Sequence, residues 1–245
     1  MKTVLITGCS SGFGLAIAHY FLQRDWRVVA TMRTLNADIL PAHPNLRLLA
    51  LDVTDAASIA AAIDAAGPID VLVNNAGIGL LGAVEGIPLA TIRAVFETNT
   101  FGTFAMTQAV LPQMRERRSG VIINVTSSVT LLPLPLLAVY TASKAAVNAF
   151  TESLALELKA FDVRTHIVLP GRAPSTSFGA NAGPRMKDAI PPAYAEMAGE
   201  VFAGWKAESG PVTEAVDVCE AVWRAAVDGG SAMRIAAGKD AVELM

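Results

Sequence analysis

Short, continuous apolar runs alternate with longer amphipathic stretches along most of this chain, and no other feature constrains its fold as strongly. Continuous runs are typical of strands covered on both faces, whereas the stretches between them have helical spacing. The runs predict strands, the last of them weakest, at Thr3–Thr7, Arg27–Met32, Leu46–Leu51, Val71–Asn74, Val121–Val125, Val163–Leu169 and Met233–Ala236. The stretches predict helices at Gly12–Arg24, Ala56–Ala65, Thr91–Arg117, Tyr140–Phe161 and Thr213–Asp228. This order predicts an α/β fold with a doubly wound parallel sheet and helices on both faces.

One segment, 172–210, interrupts the alternation. It is rich in Pro, Gly, Met and aromatic residues and has no clean period. We expect it to be an insertion that covers a substrate. No repeat and no linker divides the rest of the sequence, so residues 1–245 are predicted to form a single domain.

Composition excludes several classes of protein. Apolar residues make up 53% of the chain and charged residues 17%, with a formal net charge of −3, which excludes a disordered chain. Without runs of Lys or Arg, we expect no nucleic-acid partner. Cys9 and Cys219 make no disulfide framework or zinc-type spacing, so we expect no metal and a reducing cytoplasmic location. The longest apolar run contains Pro133 and Pro135 and is too short to cross a bilayer, and no signal peptide precedes the first strand, so no membrane association is expected.

A glycine-rich turn, Thr7-Gly8-Cys9-Ser10-Ser11-Gly12-Phe13-Gly14, follows the first strand and opens the first helix. Gly8 permits a tight turn, Gly12 lets a ligand approach the backbone, and Gly14 lets the helix pack closely on the strand. The helix N-terminus then offers N–H groups and a positive dipole end to a pyrophosphate. The turn therefore predicts a dinucleotide site.

The same turn permits a second interpretation, a serine hydrolase. Gly8-Cys9-Ser10-Ser11-Gly12 matches the G-x-S-x-G elbow, with Ser10 as the nucleophile. A triad also needs an acid and a histidine on later strand ends. None of His19, His43 and His166 lies in such a loop, and the elbow falls on the first strand, so this alternative is the weaker one.

The end of the second strand predicts which dinucleotide binds. Sites for NAD place an acid there, but this strand ends in Met32-Arg33-Thr34. Arg33 can bind a 2′-phosphate with its planar guanidinium, and Ser11 can add a hydroxyl, which favours NADP(H) over NAD(H). Asp52, after the third strand, is placed to accept a hydrogen bond from adenine, and it also suits the N-terminus of the next helix.

Tyr140 and Lys144 lie four residues apart, on one face of a predicted helix. A lysine cation favours the phenolate, so we expect Lys144 to lower the pKa of Tyr140 toward working pH. Tyr140 would then exchange a proton with a carbonyl oxygen as hydride is transferred. Ser127, thirteen residues upstream and just past a strand end, can hold that oxygen.

Taken in order, these motifs resemble the single-domain short-chain dehydrogenase/reductase family over nearly the whole chain. The resemblance extends to Asn74-Asn75-Ala76-Gly77, to Asn99 and to Pro170-Gly171. The glycine turn, Ala30-Thr31-Met32-Arg33 and Gly238-Lys239-Asp240-Ala241 look most like its NADP-preferring carbonyl reductase and 17β-hydroxysteroid dehydrogenase-like branch. The resemblance implies a Rossmann-type fold.

Catalytic and coenzyme-binding roles follow from the resemblance. The implied catalytic residues are Asn99, Ser127, Tyr140 and Lys144. Asn99 would hold a water that links Lys144 to solvent, and hydride would leave the B face of the nicotinamide. The implied coenzyme-binding residues are Gly8, Ser10, Ser11, Gly12, Phe13, Gly14, Arg33, Asp52, Val53, Asn75, Ala76, Gly77, Tyr140, Lys144, Pro170, Gly171, Ala173 and Ser175. Whether Ser175 or Thr176 meets the carboxamide is left open by the sequence.

Apolar residues near these motifs predict a pocket for a hydrophobic ketone or secondary alcohol. The expected substrate residues are Ile78, Val129, Leu137 and Arg172, and Arg172 either faces solvent or binds a polar substrate group. Other wall candidates, which core or dimer packing explains equally well, are Leu136, Met186, Ile190, Tyr194, Met197, Phe202 and Trp205.

These features together predict an NADPH-dependent carbonyl reductase that also runs as an alcohol dehydrogenase. The alternative from another class is a binding module that senses the dinucleotide without chemistry, which would tolerate loss of Tyr140 or Lys144. In the family that the chain resembles, the helices matching Thr91–Arg117 and Tyr140–Phe161 form a dimer bundle. The resemblance therefore implies a homodimer or homotetramer.

Overall fold

A parallel sheet of seven strands runs through the protein, in the order β3-β2-β1-β4-β5-β6-β7. The computed structural model describes residues 1–176, 182, 183, 185, 186 and 189–245. The strands are β1 (Thr3–Ile6), β2 (Arg27–Met32), β3 (Leu46–Ala50), β4 (Val71–Asn74), β5 (Gly120–Val125), β6 (Val163–Pro170) and β7 (Arg234–Ala237). All seven predicted strands are confirmed, as is the doubly wound, Rossmann-type fold in a single domain.

Helices cover both faces of this sheet. They are α1 (Gly12–Leu22), α2 (Ala56–Ala66), α3 (Leu89–Phe96), α4 (Gly102–Arg117), α5 (Ala138–Leu158), α6 (Ala195–Ala207), α7 (Ala215–Val227) and the short α8 (Lys239–Val242). Successive β1 side chains enter two different cores: Val4 packs with residues of α1 and α7, and Leu5 packs with residues of α2, α4 and α5. Burial of one large side chain such as Phe21 contributes roughly 1.5–3 kcal/mol.

The helix predicted over Thr91–Arg117 is interrupted. The chain forms α3, then a π-helical turn over Glu97–Phe101, and then α4. A π turn inserts one residue into the helical ladder, and such insertions often occur at functional sites. Here it contains Asn99, whose side-chain amide is buried and bonded to the backbone of Ile78.

Segment 172–210 has more order than its composition predicts. It contains α6, which begins after a 3₁₀ turn at Pro192–Tyr194. Part of the segment, at 177–181, 184, 187 and 188, lies outside the described residues. Gly82 and Gly86 allow the loop after β4 to approach Ala189 and Pro191, because a Cβ at either glycine would overlap them. Residues 189–191 of the segment therefore pack on the loop that leads toward α3.

The sheet order reverses at β1 and β4. β1 leads into α1 on one face, and the chain after β4 leads toward the helices on the other, so the two connections diverge above the carboxyl ends of the strands. In open α/β sheets such a switch point forms a crevice that binds ligands. Of the helices that the structure describes, none combines the length and apolar character that a membrane span requires.

Candidate active site

A cleft of about 1650 Å³ opens at this switch point. Most of the residues predicted for the site lie in its wall. They are Gly8, Ser10, Ser11, Gly12, Phe13, Arg33, Asp52, Val53, Asn75, Ala76, Gly77, Ile78, Ser127, Val129, Leu137, Tyr140, Lys144, Pro170, Gly171, Arg172 and Ala173. Gly14, Asn99 and Ser175 do not line the cleft.

The glycine turn has a backbone that only glycine adopts easily. Gly8 and Gly12 have φ values of +74° and +55°. A Cβ at Gly8 would lie 2.8 Å from Ala76 Cα, whereas among the described residues a Cβ at Gly12 would meet only Thr176 Cβ, at 3.8 Å. The Gly12 backbone therefore faces open space in the cleft, and no side chain caps the helix at Ser11.

Gly14 acts in packing rather than in the cleft wall. A Cβ there would lie 2.5 Å from Asn75 Nδ2 and would overlap the Gly8 carbonyl. Asn75 Nδ2 in turn donates to the carbonyls of Thr7 and Gly8, at 3.0 and 3.2 Å. These contacts hold α1 close to the end of β1, against which the sequence predicted that Gly14 packs, and also to Asn75 after β4.

Arg33 and Asp52 lie at one end of the cleft. Arg33 is exposed there, and its charge contributes to holding the pKa of Asp52 below its ordinary value. The larger contributions are hydrogen bonds from the Thr54 backbone N–H and hydroxyl, at 2.9 and 2.7 Å. Asp52 does not begin α2, because Asp55 is its N-cap and accepts from Ala57 N, so that second role for Asp52 was wrong.

Tyr140, Ser127 and Lys144 all line the cleft, and all three are buried. The hydroxyls of Tyr140 and Ser127 are hydrogen-bonded to each other. Ser127 Oγ also accepts from Val129 N at 3.3 Å, and Lys144 Nζ donates to the Val125 carbonyl at 3.0 Å. Helix α5 therefore contributes Tyr140 and Lys144, the turn after β5 contributes Ser127, and the end of β5 contributes the Val125 carbonyl.

The expected lowering of the Tyr140 pKa by Lys144 is not found. Burial raises the pKa of the Tyr140 phenol, and the hydrogen bond from Ser127 is what acts to lower it. Burial also lowers the pKa of Lys144 to about 8, because an ammonium ion loses its hydration there. The physical reason for the difference is desolvation, which spacing along a helix does not reveal.

Asn99 supports the site from behind the cleft wall. Its Oδ1 accepts from Ile78 N at 2.8 Å, and its Nδ2 donates to the Ile78 carbonyl at 3.0 Å and to Ser143 Oγ at 3.1 Å. A Cβ built at Gly77 would lie 3.3 Å from Asn99 Oδ1 and 3.4 Å from Lys144 Nζ. The amide of Asn99 thus approaches the lysine across Gly77, and the water relay remains a prediction.

The loop after β6 is tied to the C-terminal segment. Gly171 N donates to Thr213 Oγ1 at 2.8 Å, and Arg172 N donates to Asp240 Oδ2 at 2.6 Å. The Arg172 guanidinium contacts the carbonyls of Trp205, Glu208 and Gly210 at 3.4–3.5 Å. Arg172 therefore borders the cleft while it holds the end of α6, a role that neither sequence expectation included.

Thr176, and not Ser175, lines the cleft. Its hydroxyl donates to the Ala173 carbonyl at 2.9 Å, which turns the backbone back toward the glycine turn. Ser175 is exposed and does not line the cleft, and its contact with the coenzyme stays a prediction. The sequence offered two adjacent hydroxyls, and only the fold of the loop separates them.

Apolar side chains form another part of the wall. Ile78, Val129 and Leu137 lie there, together with Met186, Phe202 and Trp205 from the insertion. Leu136, Ile190, Tyr194 and Met197 do not line the cleft; they pack in a separate cluster with Ala83 and Ala198. Further lining residues that the motifs missed are Thr54, Leu80, Leu81, Thr126, Leu132, Leu134 and Pro174.

The hydrolase alternative finds no support in this geometry. Ser10 lies at the cleft, but the described lining residues include no histidine. His166 is buried in β6, where its ring nitrogens contact Arg164 Nη1 at 3.2 Å and the Ala232 carbonyl at 2.9 Å. A charge-relay partner for Ser10 is therefore absent from the described part of the cleft.

Replacing Lys144 should stabilise the fold. Because the pKa of Lys144 is about 8 when folded and 10.5 ordinarily, the unfolded chain binds more protons between these values, and wild-type stability should rise with pH there. Lys144→Met should remove this rise and increase the free energy of unfolding by about 2 kcal/mol at about pH 7.5. Urea unfolding at about pH 7.5 and 9.5 measures both effects.

The exposed Lys159, just after α5, gives the matched control Lys159→Met. Its stability should follow the wild-type pH dependence. A Lys144→Met protein that unfolds at lower urea concentration than the wild type at about pH 7.5 would contradict the assignment of a desolvated, destabilising ammonium.

Comparisons with known proteins agree with this geometry. The family model for short chain dehydrogenases matches residues 2–186. Retinol dehydrogenase 8 of Bos taurus is 43% identical over 183 residues, which span 69% of this chain and 58% of that protein. The chain thus matches little more than half the length of this curated relative.

Solved structures match over most of their length. A short-chain dehydrogenase from Streptomyces avermitilis superposes with a TM-score of 0.84 and 35% identity, covering 99% of this chain and 90% of that one. The 3-ketoacyl-(acyl-carrier-protein) reductase from Brucella melitensis, solved with NADH, has a TM-score of 0.77 and 27% identity, with 96% of both chains covered. The switch-point cleft, the motifs around it and the family match show that this chain belongs to the short-chain dehydrogenase family.

Proposed function

We propose that the protein reduces an apolar ketone or aldehyde to an alcohol with NADPH and catalyses the reverse oxidation. The observation that supports this best is the hydrogen-bonded pair of Tyr140 and Ser127 in the cleft wall. The same cleft is lined by the glycine turn and by the apolar side chains of Ile78, Val129 and Leu137. An apolar wall with one polar corner suits a hydrophobic carbonyl compound.

The cleft fits a nicotinamide dinucleotide. The Gly12 backbone faces open space at an uncapped helix N-terminus, which is where a pyrophosphate would bind. Asp52 and Val53 would border the adenine, and Asn75, Ala76 and Gly77 the adenosine side. Pro170, Gly171, Ala173 and Thr176 would border the nicotinamide. When bound, the reduced coenzyme supplies the hydride.

Tyr140 acts as the general acid in the reductive direction. Because burial raises its pKa, the phenol stays protonated at neutral pH and can donate its proton to the carbonyl oxygen as negative charge develops there. Ser127 holds the same oxygen by a second hydrogen bond. In the reverse direction the Tyr140 oxygen takes the proton back, and the hydrogen bond with Ser127 stabilises the phenolate.

Lys144 supports the proton transfer. With a pKa of about 8, its amine is mostly protonated at neutral pH, where it can donate to the ribose hydroxyls of the coenzyme. Asn99 lies beside it across Gly77 and would hold the water that passes a proton from Lys144 to solvent. Neither residue needs to touch the substrate.

Segment 172–210 covers the substrate in this proposal. Phe202 and Trp205 of α6 line the cleft and pack edge-to-face, with their ring centroids 5.9 Å apart. We infer a homodimer or homotetramer from α4, α5 and the π turn before α4. Phe104 stacks on Phe150 with ring centroids 4.0 Å apart, and Phe101 of the π turn and Leu156 of α5 are exposed. Large exposed apolar side chains on adjacent helices favour contact with a second copy.

Replacing Tyr140 by Phe tests the proposal against the dinucleotide sensor. Turnover with a panel of aryl, aliphatic and steroid ketones should fall by about 10²–10⁴-fold, because the proton donor is lost. The dissociation constant for NADPH, from nicotinamide fluorescence, should stay within about twofold because the ring remains. Tyr20→Phe is the control, since Tyr20 packs on Trp223 away from the cleft. A protein that binds NADPH but shows no turnover in its wild-type form supports the sensor instead.

Replacing Arg33 tests the choice of coenzyme. The exposed guanidinium at the cleft end can form charge-assisted hydrogen bonds to a 2′-phosphate, so Arg33→Ala should raise KM for NADPH by roughly ten- to a hundredfold. KM for NADH, which lacks that phosphate, should change little. Arg27→Ala is the matched control, because the exposed Arg27 begins β2, whereas Arg33 follows the other end of that strand. Equal effects of Arg33→Ala on both coenzymes would show that Arg33 does not select NADPH.

A further inference from the structure

Two polar residues, Asn148 and Thr130, form a hydrogen-bonded chain that ends at the Ser127 carbonyl. Asn148 Nδ2 donates to Thr130 Oγ1 at 2.9 Å, and the Thr130 hydroxyl donates to the Ser127 carbonyl at 2.8 Å. Asn148 is only 4% exposed, so its amide lies inside the protein rather than in solvent. Neither Asn148 nor Thr130 belongs to a motif in the sequence or lines the cleft.

We propose that Asn148 and Thr130 are positioning residues that fix the Ser127 turn against the helix bearing Tyr140. The inference rests on the proposed function, because it gives the turn a role in catalysis. Its physical basis is that α5 contacts the turn at two points. Tyr140 contacts Ser127, and Asn148, two helical turns further along, contacts Thr130.

The turn itself determines where the Ser127 hydroxyl lies. Ser127 precedes the 3₁₀ turn Ser128–Thr130, and its Oγ accepts from Val129 N at 3.3 Å. Its carbonyl accepts from Thr130 N at 3.2 Å as well as from the Thr130 hydroxyl. A short 3₁₀ turn has poor hydrogen-bond geometry, so it depends on side-chain contacts such as these.

Loosening the turn should weaken the hydrogen bond between Ser127 and Tyr140. A serine hydroxyl has one hydrogen and two lone pairs, so the bond from Val129 N limits the directions left for Tyr140 and a substrate oxygen. If the turn shifts, that bond and the Ser127–Tyr140 bond both weaken. The phenolate then loses stabilisation, and oxidation of the alcohol should need a higher pH.

The variants distinguish loss of a hydrogen-bonding group from loss of side-chain volume. Thr130→Val removes the hydroxyl and keeps the side-chain shape. Asn148→Leu removes the amide donor, and Thr130→Ser keeps the hydroxyl. Thr141→Val is the matched control on α5, because in the described part of the chain the buried Thr141 hydroxyl has no hydrogen-bond partner. Measurements are the pH profile of kcat for alcohol oxidation with NADP⁺, the dissociation constant of NADPH, and amide exchange of a peptide containing Val129.

Thr130→Val and Asn148→Leu should lower kcat at neutral pH by roughly three- to tenfold and move the profile upward by about half a pH unit. Exchange at Val129 should become faster, while NADPH binding stays unchanged. Thr130→Ser and Thr141→Val should behave as the wild type. A Thr130→Val enzyme with the wild-type profile and kcat would overturn the proposal, even if it melts at a lower temperature.

Failure of the proposed function gives a different pattern. In that case the wild-type protein shows no turnover that Tyr140→Phe removes, whatever the state of Thr130. Exchange at Val129 then decides whether Asn148 and Thr130 hold the turn. Equal exchange rates in the wild type and in Thr130→Val would overturn the positioning role on that evidence alone.

Discussion

The hydrogen bonds between the ends of β1 and β4 are the constraint on which the cleft depends. Thr7 Oγ1 accepts from the backbone N–H groups of Asn75 and Ala76, at 3.0 and 2.9 Å, while Asn75 Nδ2 donates back to Thr7 and Gly8. These bonds join two adjacent strands at the point where their connections leave toward opposite faces. The glycine turn can therefore approach β4 closely and keep its Gly12 backbone open to the cleft.

Burial shifts the pKa values of Lys144 and Tyr140, and desolvation of the Lys144 ammonium lowers the stability of the fold. Lys144 is almost fully buried with a single backbone acceptor at Val125, and desolvation lowers its pKa to about 8. The same burial raises the pKa of Tyr140, so the hydrogen bond from Ser127 provides the opposing stabilisation of its phenolate. A water-exposed site would lose both effects, because solvent would hydrate either charge.

The strands and much of the cleft wall could be predicted because they depend on local sequence. Continuous apolar runs mark strands buried on both faces, and strand ends place Ser127 and Asn75 at one edge of the sheet. Helix α6 was missed because Gly199 and Gly204 interrupt a mostly exposed stretch. The π turn at Asn99 and the choice of Thr176 over Ser175 depend on contacts between distant segments. The raised pKa of Tyr140 depends on burial, and none of these is encoded in spacing along the chain.

Direct transfer of the nicotinamide hydrogen tests the central claim, that the cleft holds a coenzyme with its reacting carbon beside Tyr140. NADPH carrying deuterium at the pro-S position of C4 would be used to reduce an aryl ketone, with mass spectrometry of the alcohol. We expect one deuterium in each alcohol formed, and none when the label is at the pro-R position. Label arriving from the pro-R position, or an alcohol without deuterium from either, would contradict it.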